Sequence, residues 1–175
     1  MTDRTLTHSV FTAAMNAPIE KIDIGDWLLH LPCAEYERCA PPDHIAAGAS
    51  TTDDGTPMSI NVEMIGDSVI VQKYVGEHIS PTYCRIVSES DVFTPHGRTT
   101  IKVIWELSAT RVDDQSSEYK NVVTSAPTDH FLDFVEKGGL TFEQAAADRQ
   151  AATSEHCSRE TPLYATSIEK HALSR

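Results

Sequence analysis

No apolar run in this 175-residue chain approaches the roughly 18 residues that a membrane-crossing helix needs, so a transmembrane helix is excluded. Basic residues are scarce: 14 Lys and Arg stand against 26 Asp and Glu, for a net charge of −12. That balance argues against a general nucleic-acid or anionic-membrane surface, since both draw on clustered positive charge. Cysteine is limited to Cys33, Cys39, Cys84 and Cys157, whose spacings match no zinc pattern and which a chain of this size does not need as disulfide staples. They read as reduced thiols. Residues 1–12 lack the apolar core of a secretory signal, so a cytoplasmic location is expected. Complete catalytic motifs are missing too: there is no G-x-S-x-G elbow, G-x-x-x-x-G-K-[ST] loop, H-E-x-x-H helix or dinucleotide fingerprint. Motif and spacing therefore lead to no expected cofactor and no expected metal.

What is present is a strand-rich stretch, residues 57–125, in a chain whose 40% hydrophobic and 23% charged content suits one globular domain. Met58–Ile65 and Ser68–Val75 flank Gly66-Asp67, a connection suited to a tight turn because Gly accepts positive φ. Pairing Ile65 with Ser68 puts Met64 opposite Val69, Val62 opposite Val71 and Met58 opposite Val75. Glu63 with Ile70, Asn61 with Gln72 and Ser59 with Tyr74 share the other face. Such alternation predicts a buried apolar face and an outward polar face carrying Tyr74. Lys73, opposite Ile60 on the apolar face, is the exception and is expected to snorkel at a rim.

A second hairpin runs from Tyr83–Phe93 through Thr94-Pro95-His96-Gly97 to Arg98–Thr110, with Pro and Gly placed as a type I turn prefers. If Phe93 pairs with Arg98, Glu89 meets Lys102 and Arg85 meets Glu106. A register shifted by one residue would bury Asp91 against Ile101, at a cost of several kcal/mol for an unpaired carboxylate. The first register is chosen. In it Val92 is placed opposite Ile101, Ile86 opposite Leu107 and Ser88 opposite Trp105. Ile101, Val103, Trp105 and Leu107 then define the inner face, joined by Cys84, Ser88 and Ser90. The charged ladder lies outside, either solvated or at the interface of a homodimer.

Elsewhere, residues 1–16 read as a disordered extension ahead of a single domain of residues 17–175. Lys21–Leu31 reads as a first strand, Pro32–Cys39 as a short helix, His44–Thr52 as a strand rich in small residues, and Glu118–Ser125 as the last strand. Beyond it the period changes. Thr128 caps a helix that ends at Gly138, and Thr141 with Gln144 forms the capping box of the next, which carries Phe142, Ala145, Ala146, Arg149 and Ala152 on one side. Thr161-Pro162 signals a further helix running to about Ala172. The expected architecture is α+β, with a curved antiparallel sheet of about seven strands gripping C-terminal helices.

The segments IDIGDWLLHLP (22–32), SDVFTPHGRTTIKVIWEL (90–107) and ETPLYATSIEKHAL (160–173) resemble small bacterial members, of uncertain function, of the START-like or SRPBCC helix-grip superfamily. The resemblance covers roughly residues 18–173 and implies a deep apolar cavity between sheet and helix. The superfamily includes lipid carriers, hormone receptors, polyketide cyclases and aromatases, and hydrolases. The zinc-dependent hydrolases of acylated phenols among them would need His and Glu residues gathered by folding. His156 and Glu160, at i and i+4, can share a helix face, but two ligands fall short of the roughly four usual for zinc. His30, His44, His78 and His130 are the other histidines open to such a cluster.

A small hydrophobic or aromatic ligand is the expected partner, with Trp105, Ser88, Ser90, Val103 and Ile86 as its contacts. In an enzyme of cyclase, dehydratase or hydrolase type using the same cavity, His30 would be the proton acceptor. A third reading is a structural or regulatory protein with a filled core. A cavity below about 300 Å³ would weigh against ligand binding. His and carboxylate groups within hydrogen-bond reach of one another would favour an enzyme, and an entirely apolar lining a carrier.

Overall fold

A computed structural model describes residues 4–174. Seven antiparallel strands form one sheet in the order β1-β7-β6-β5-β4-β3-β2. They are β1 (Thr7–Met15), β2 (His44–Thr51), β3 (Pro57–Ile65), β4 (Ser68–Ile79), β5 (Tyr83–Thr94), β6 (Gly97–Arg111) and β7 (Ser117–Pro127). Two short helices, α1 (Ile24–His30) and α2 (Cys33–Cys39), lie between β1 and β2. After the sheet come α3 (Asp129–Lys137) and the 32-residue α4 (Phe142–Leu173), which packs across the inner face. The core lies between them, with Trp27, Tyr36, Tyr119, Tyr164 and Ile168 among its buried side chains. No helix among the described residues is long and apolar enough to cross a membrane.

Both hairpin registers agree with the sequence. Ile65 pairs with Ser68, Phe93 with Arg98, Glu89 with Lys102 and Arg85 with Glu106. The partners on the inner face differ from those expected: Val92 faces Thr99, Ile86 faces Trp105 and Ser88 faces Val103. These positions follow from the same Phe93–Arg98 pairing carried residue by residue along both strands.

The larger correction concerns which side of the first hairpin is inside. Ser59, Asn61, Glu63, Gln72 and Tyr74 are buried, whereas Met58, Val62, Met64, Val69 and Val71 are only half-buried on the outer side. Lys73 is therefore on the outward face, and needs no rim position.

Three further elements differ. Residues 7–15, expected outside the domain, form edge strand β1, paired along its length with β7 from Thr7–Ser125 to Met15–Ser117. Residues 1–3 of the expected extension lie outside the described residues. The expected strand over residues 21–31 is instead a 3₁₀ turn followed by α1. Asp23 caps α1 by accepting from the Asp26 amide, and Ile24, Trp27 and Leu28 supply the i, i+3, i+4 apolar stripe. Finally, α4 runs unbroken through Pro162. The Thr128 cap and the Thr141–Gln144 capping box form as expected.

Pro162 is exposed in the interior of α4, and its missing N–H removes an intrahelical hydrogen bond from the Ser158 carbonyl. Pro162→Ala should stabilise the fold by about 1–3 kcal/mol, less whatever chain entropy Pro removes from the unfolded state. Urea denaturation reads this directly. A less stable variant would show that the neighbouring packing depends on the proline ring.

Candidate metal centre

His44, Glu63, His156 and Glu160 converge beneath α4, with one ligand atom from each lying within 4.8 Å of all the others. They come from the start of β2, the middle of β3 and successive turns of α4. All four are buried. Each is held from outside the cluster, so its free face is turned inward.

The His44 ring stacks on Tyr36, with centroids 3.8 Å apart and planes 3° from parallel. Its Nδ1 lies 2.7 Å from the Tyr36 carbonyl oxygen. A carbonyl only accepts, so Nδ1 carries the proton and Nε2 is the atom presented to the cluster. His156 repeats the arrangement: its Nδ1 is 2.9 Å from Asp43 Oδ2, and that oxygen also accepts from Arg159 Nη2 at 2.5 Å. Two imidazoles tied outward through Nδ1, each presenting Nε2 to the cluster, are the usual form of histidine metal ligands; here His44 Nε2 is hydrogen-bonded to Glu160 Oε2 at 3.2 Å, and His156 Nε2 has no such partner.

The carboxylates are oriented in the same way. Tyr36 Oη donates to Glu63 Oε2 at 3.2 Å. Glu160 Oε1 accepts from Asn121 Nδ2 at 3.0 Å, and Asn121 Oδ1 accepts from the Trp105 indole at 2.7 Å. Glu160 Oε2 is then left 3.2 Å from His44 Nε2 and 3.3 Å from His156 Nε2. Glu63 Oε2 is 3.5 Å from His44 Nε2 and 3.2 Å from His156 Nε2. His156 Nε2 nevertheless makes no hydrogen bond and is fully buried: the distances suit one but the directions do not. The nitrogen lies about equally far from one oxygen of each carboxylate.

A shared metal ion accounts for that placement. Four ligands at about 2.0–2.1 Å in a tetrahedron stand about 3.3 Å apart, close to the four His–Glu distances of 3.2–3.5 Å. Two carboxylates and two neutral imidazoles also balance a divalent ion in charge. With protons alone, burial depresses the His156 pKa, but the Glu160 and Glu63 carboxylates outweigh it and push it up to about 12. Burial likewise opposes ionisation of Glu160, yet His156 and His44 hold its pKa well below the usual carboxylate range. In both cases the cluster favours a positive charge between the carboxylates.

Two spaces adjoin the cluster. An inner chamber of about 40 Å³ is lined by Glu63, His156 and Glu160 together with Trp105, Tyr74 and Tyr164. Burial, then the Glu63 and Glu160 charges, push the Tyr74 phenol well above its ordinary value. Burial, Glu160 and Tyr36 do the same for Tyr164, so both phenols stay protonated as donors. An outer groove of about 620 Å³ opens between the β3–β4 and β5–β6 turns, α3 and the first turns of α4, with Phe131, Phe134 and Leu140 among its walls. Ile65 and Arg149 line both spaces. The inner chamber is far below the size that encloses a ligand, and the outer groove is well above it.

Of the side chains expected to contact a ligand, Trp105 and Val103 line the chamber. Ile86 is buried in the core and is not part of either wall. Ser88 and Ser90 are bonded to each other, and the Ser88 hydroxyl accepts the Lys73 amide, completing a gap in the β4–β5 ladder. His30 is exposed at the end of α1 beside Asp26, away from the cluster, which corrects its expected catalytic role. His156 and Glu160 do share a helix face, as their spacing predicts, and folding adds His44 and Glu63 to them. The strand pattern alone puts Glu63 outward with its polar neighbours. The available signal was a Glu-Asn-Ser strand face opposite Gln72 and Tyr74, which reads equally as a solvated face.

No family model matches the chain, and no curated protein matches it. Solved structures do. The Zhui aromatase/cyclase from Streptomyces sp. R1128 superposes with a TM-score of 0.64 at 12% identity, covering 96% of this chain and 94% of that one. A START superfamily protein from Mycobacterium smegmatis gives 0.56 at 9% identity over 95% and 97% of the two chains. A protein from Thermus thermophilus gives 0.55 at 11% identity, again over 95% and 97%. At these identities the likeness shows the fold alone: a START-like helix-grip fold.

Asn121 joins Trp105 to Glu160, so Asn121→Ala leaves a buried indole N–H and a buried carboxylate oxygen without their partner. The metal-free variant should lose about 2–6 kcal/mol in urea denaturation, at about 1–3 kcal/mol for each orphaned group. A loss well under about 1 kcal/mol would mean that water takes over both contacts.

Proposed function

We propose that the chain is a metal-dependent enzyme of the hydrolase type, holding one divalent cation through His44, Glu63, His156 and Glu160 and acting on a carbonyl group of a small aromatic or otherwise apolar compound. The observation that carries the proposal is the buried His156 Nε2, about equally far from one oxygen of each of two carboxylates while Nδ1 of the same ring is tied to Asp43. Imidazole and carboxylate donors at these spacings suit zinc best. The structural zinc sites of small domains are built largely from thiolates, whereas this donor set lines an internal space. With a fifth position taken up, or one carboxylate released to leave a position open, a divalent ion there would supply Lewis acidity toward a carbonyl and acidify water.

In the overall reaction, the oxygen of water joins the carbonyl carbon, the acyl bond breaks and the leaving group departs with a proton. The chain's own residues give that chemistry its setting. Trp105, Ile70, Val103 and Val123 form apolar walls around the space where a small reacting group would sit. Tyr74 and Tyr164 are protonated donors for an oxygen that gains negative charge. Burial pushes the Cys157 thiol up, with the Glu160 and Glu63 charges adding to it, so Cys157 serves as packing and not as a nucleophile. Histidine and carboxylate groups meeting in the chamber support an enzyme over a carrier. A cyclase of the aromatase kind is the alternative, supported by the fold likeness alone.

Purified protein should contain about one zinc per chain by elemental mass spectrometry, removable by chelator and restored by zinc. Hydrolysis of 4-nitrophenyl acetate should follow the metal content. His156→Ala should abolish stoichiometric binding. Asp43→Ala, which frees the outer edge of the His156 ring and the Arg159 guanidinium, should weaken zinc affinity by about 10–100-fold. If the double variant His44→Ala/His156→Ala takes up zinc as well as the wild type, the proposed centre is wrong.

A further inference from the structure

Arg149 is the only lysine or arginine among the residues lining the inner chamber, and it lines the outer groove as well. It stands on the chamber-facing side of α4, seven residues before His156, roughly 10 Å along the helix axis. Its hydrogen bond to Ser68 is long, from Nη2 to Oγ at 3.4 Å, and Ser68 in turn donates to Asp67 Oδ1. Among the described residues no carboxylate lies within ion-pair distance of its guanidinium. The chain carries 26 acidic residues, so a carboxylate partner was readily at hand. Arg85, Arg98, Arg111 and Arg159 all have one. Burial depresses the Arg149 pKa, and only Asp67 works against this, yet a guanidinium remains charged throughout the physiological range. A half-buried cation on the border of a ligand space, bound only to a hydroxyl, has unused donors in a fork that fits a carboxylate.

We infer that Arg149 is the anion-recognising residue of the site, and that the substrate carries a carboxylate on the end of the molecule remote from the reacting carbonyl. This rests on the preceding reading of the metal centre as the reacting end. An extended compound with its carboxylate on Arg149, beside Ile65 where the two spaces meet, would reach toward the cluster with a reacting end no larger than one small group. The proposal also explains how a chain of net charge −12 can take an anionic ligand: the attraction is local, and the protein's overall field opposes it.

The test compares benzoate with its neutral isostere benzamide, by tryptophan fluorescence and calorimetry, on metal-free and zinc-loaded protein. Wild type should bind benzoate about tenfold or more tightly than benzamide in both forms, as a charge-assisted pair requires. Arg149→Met should bring the ratio to about one with unchanged zinc content, and Arg149→Lys should keep part of it. If the Met variant loses its cooperative melt, Arg149→Gln replaces it in the comparison. A benzoate preference that survives both replacements overturns the proposal, as does one that appears only with zinc, which would make the metal the carboxylate site. Failure of benzoate to bind overturns the ligand class. A protein that takes up no zinc but keeps an Arg149-dependent preference refutes the metal centre while leaving the anion site standing.

Discussion

Two carboxylates, Glu63 and Glu160, sit beside each other almost out of water, at 6% and 4% exposure. Isolated ionised carboxylates in such a place cost several kcal/mol each, so everything around them has to compensate. The compensation comes from separate parts of the chain. Tyr36 reaches from α2, His44 from the start of β2, Asn121 from β7 and His156 from α4. The site thereby ties the short helical insertion, both halves of the sheet and the long helix to one point. It also fixes the register of α4. A one-residue slip turns a helix by about 100°, which would carry His156 and Glu160 away from the chamber together.

That same constraint explains what sequence reasoning could see. The hairpin registers were legible because local rules decide them: Gly66 sets one turn, and opposite charges at Glu89–Lys102 and Arg85–Glu106 decide the other. The direction of the first hairpin was not legible. Alternation separates two faces but does not say which is inside, and the usual tie-breaker is that apolar side chains go in. Here the tie-breaker fails because the inward face carries the chemistry: Glu63, Asn61 and Gln72 face the helix, and Val62, Val71 and Met64 are left half-buried outside. Local patterns and function disagree at that point, as they tend to at functional sites.

The other departures have local causes. In residues 22–31 both a strand and a helix pattern can be traced, and the Asp23 cap with Ile24, Trp27 and Leu28 tips the balance once the helix has a core to bury against. Trp27 settles there, its indole donating to Ser167 and its ring edge-on to Tyr164. Edge strand β1 has weak periodicity of its own and owes its place to nine residues of pairing with β7. Pro162 would end an isolated helix. In α4 it faces solvent, while Thr161, Tyr164, Ala165 and Ile168 anchor the chain on either side by burial. Tertiary packing outweighs local propensity in all three cases.

The division into a small chamber and a wide groove limits what the fold can do. In a helix-grip architecture the space between sheet and helix is available for a ligand, but here aromatic rings occupy much of it: Trp105 lies 5.5 Å from Tyr74 and 5.7 Å from Tyr164, centroid to centroid. These rings and the hydrogen-bonded carboxylates leave room beside the cluster for about one small group and no more. Ile65 and Arg149 stand where the two spaces meet. A fold shared at about a tenth of identical residues says nothing of this arrangement, because the chemistry resides in which side chains fill the grip. In this chain aromatic rings and the buried carboxylate–histidine cluster fill most of the grip, and the larger space lies outside it, between the hairpin turns and the two C-terminal helices.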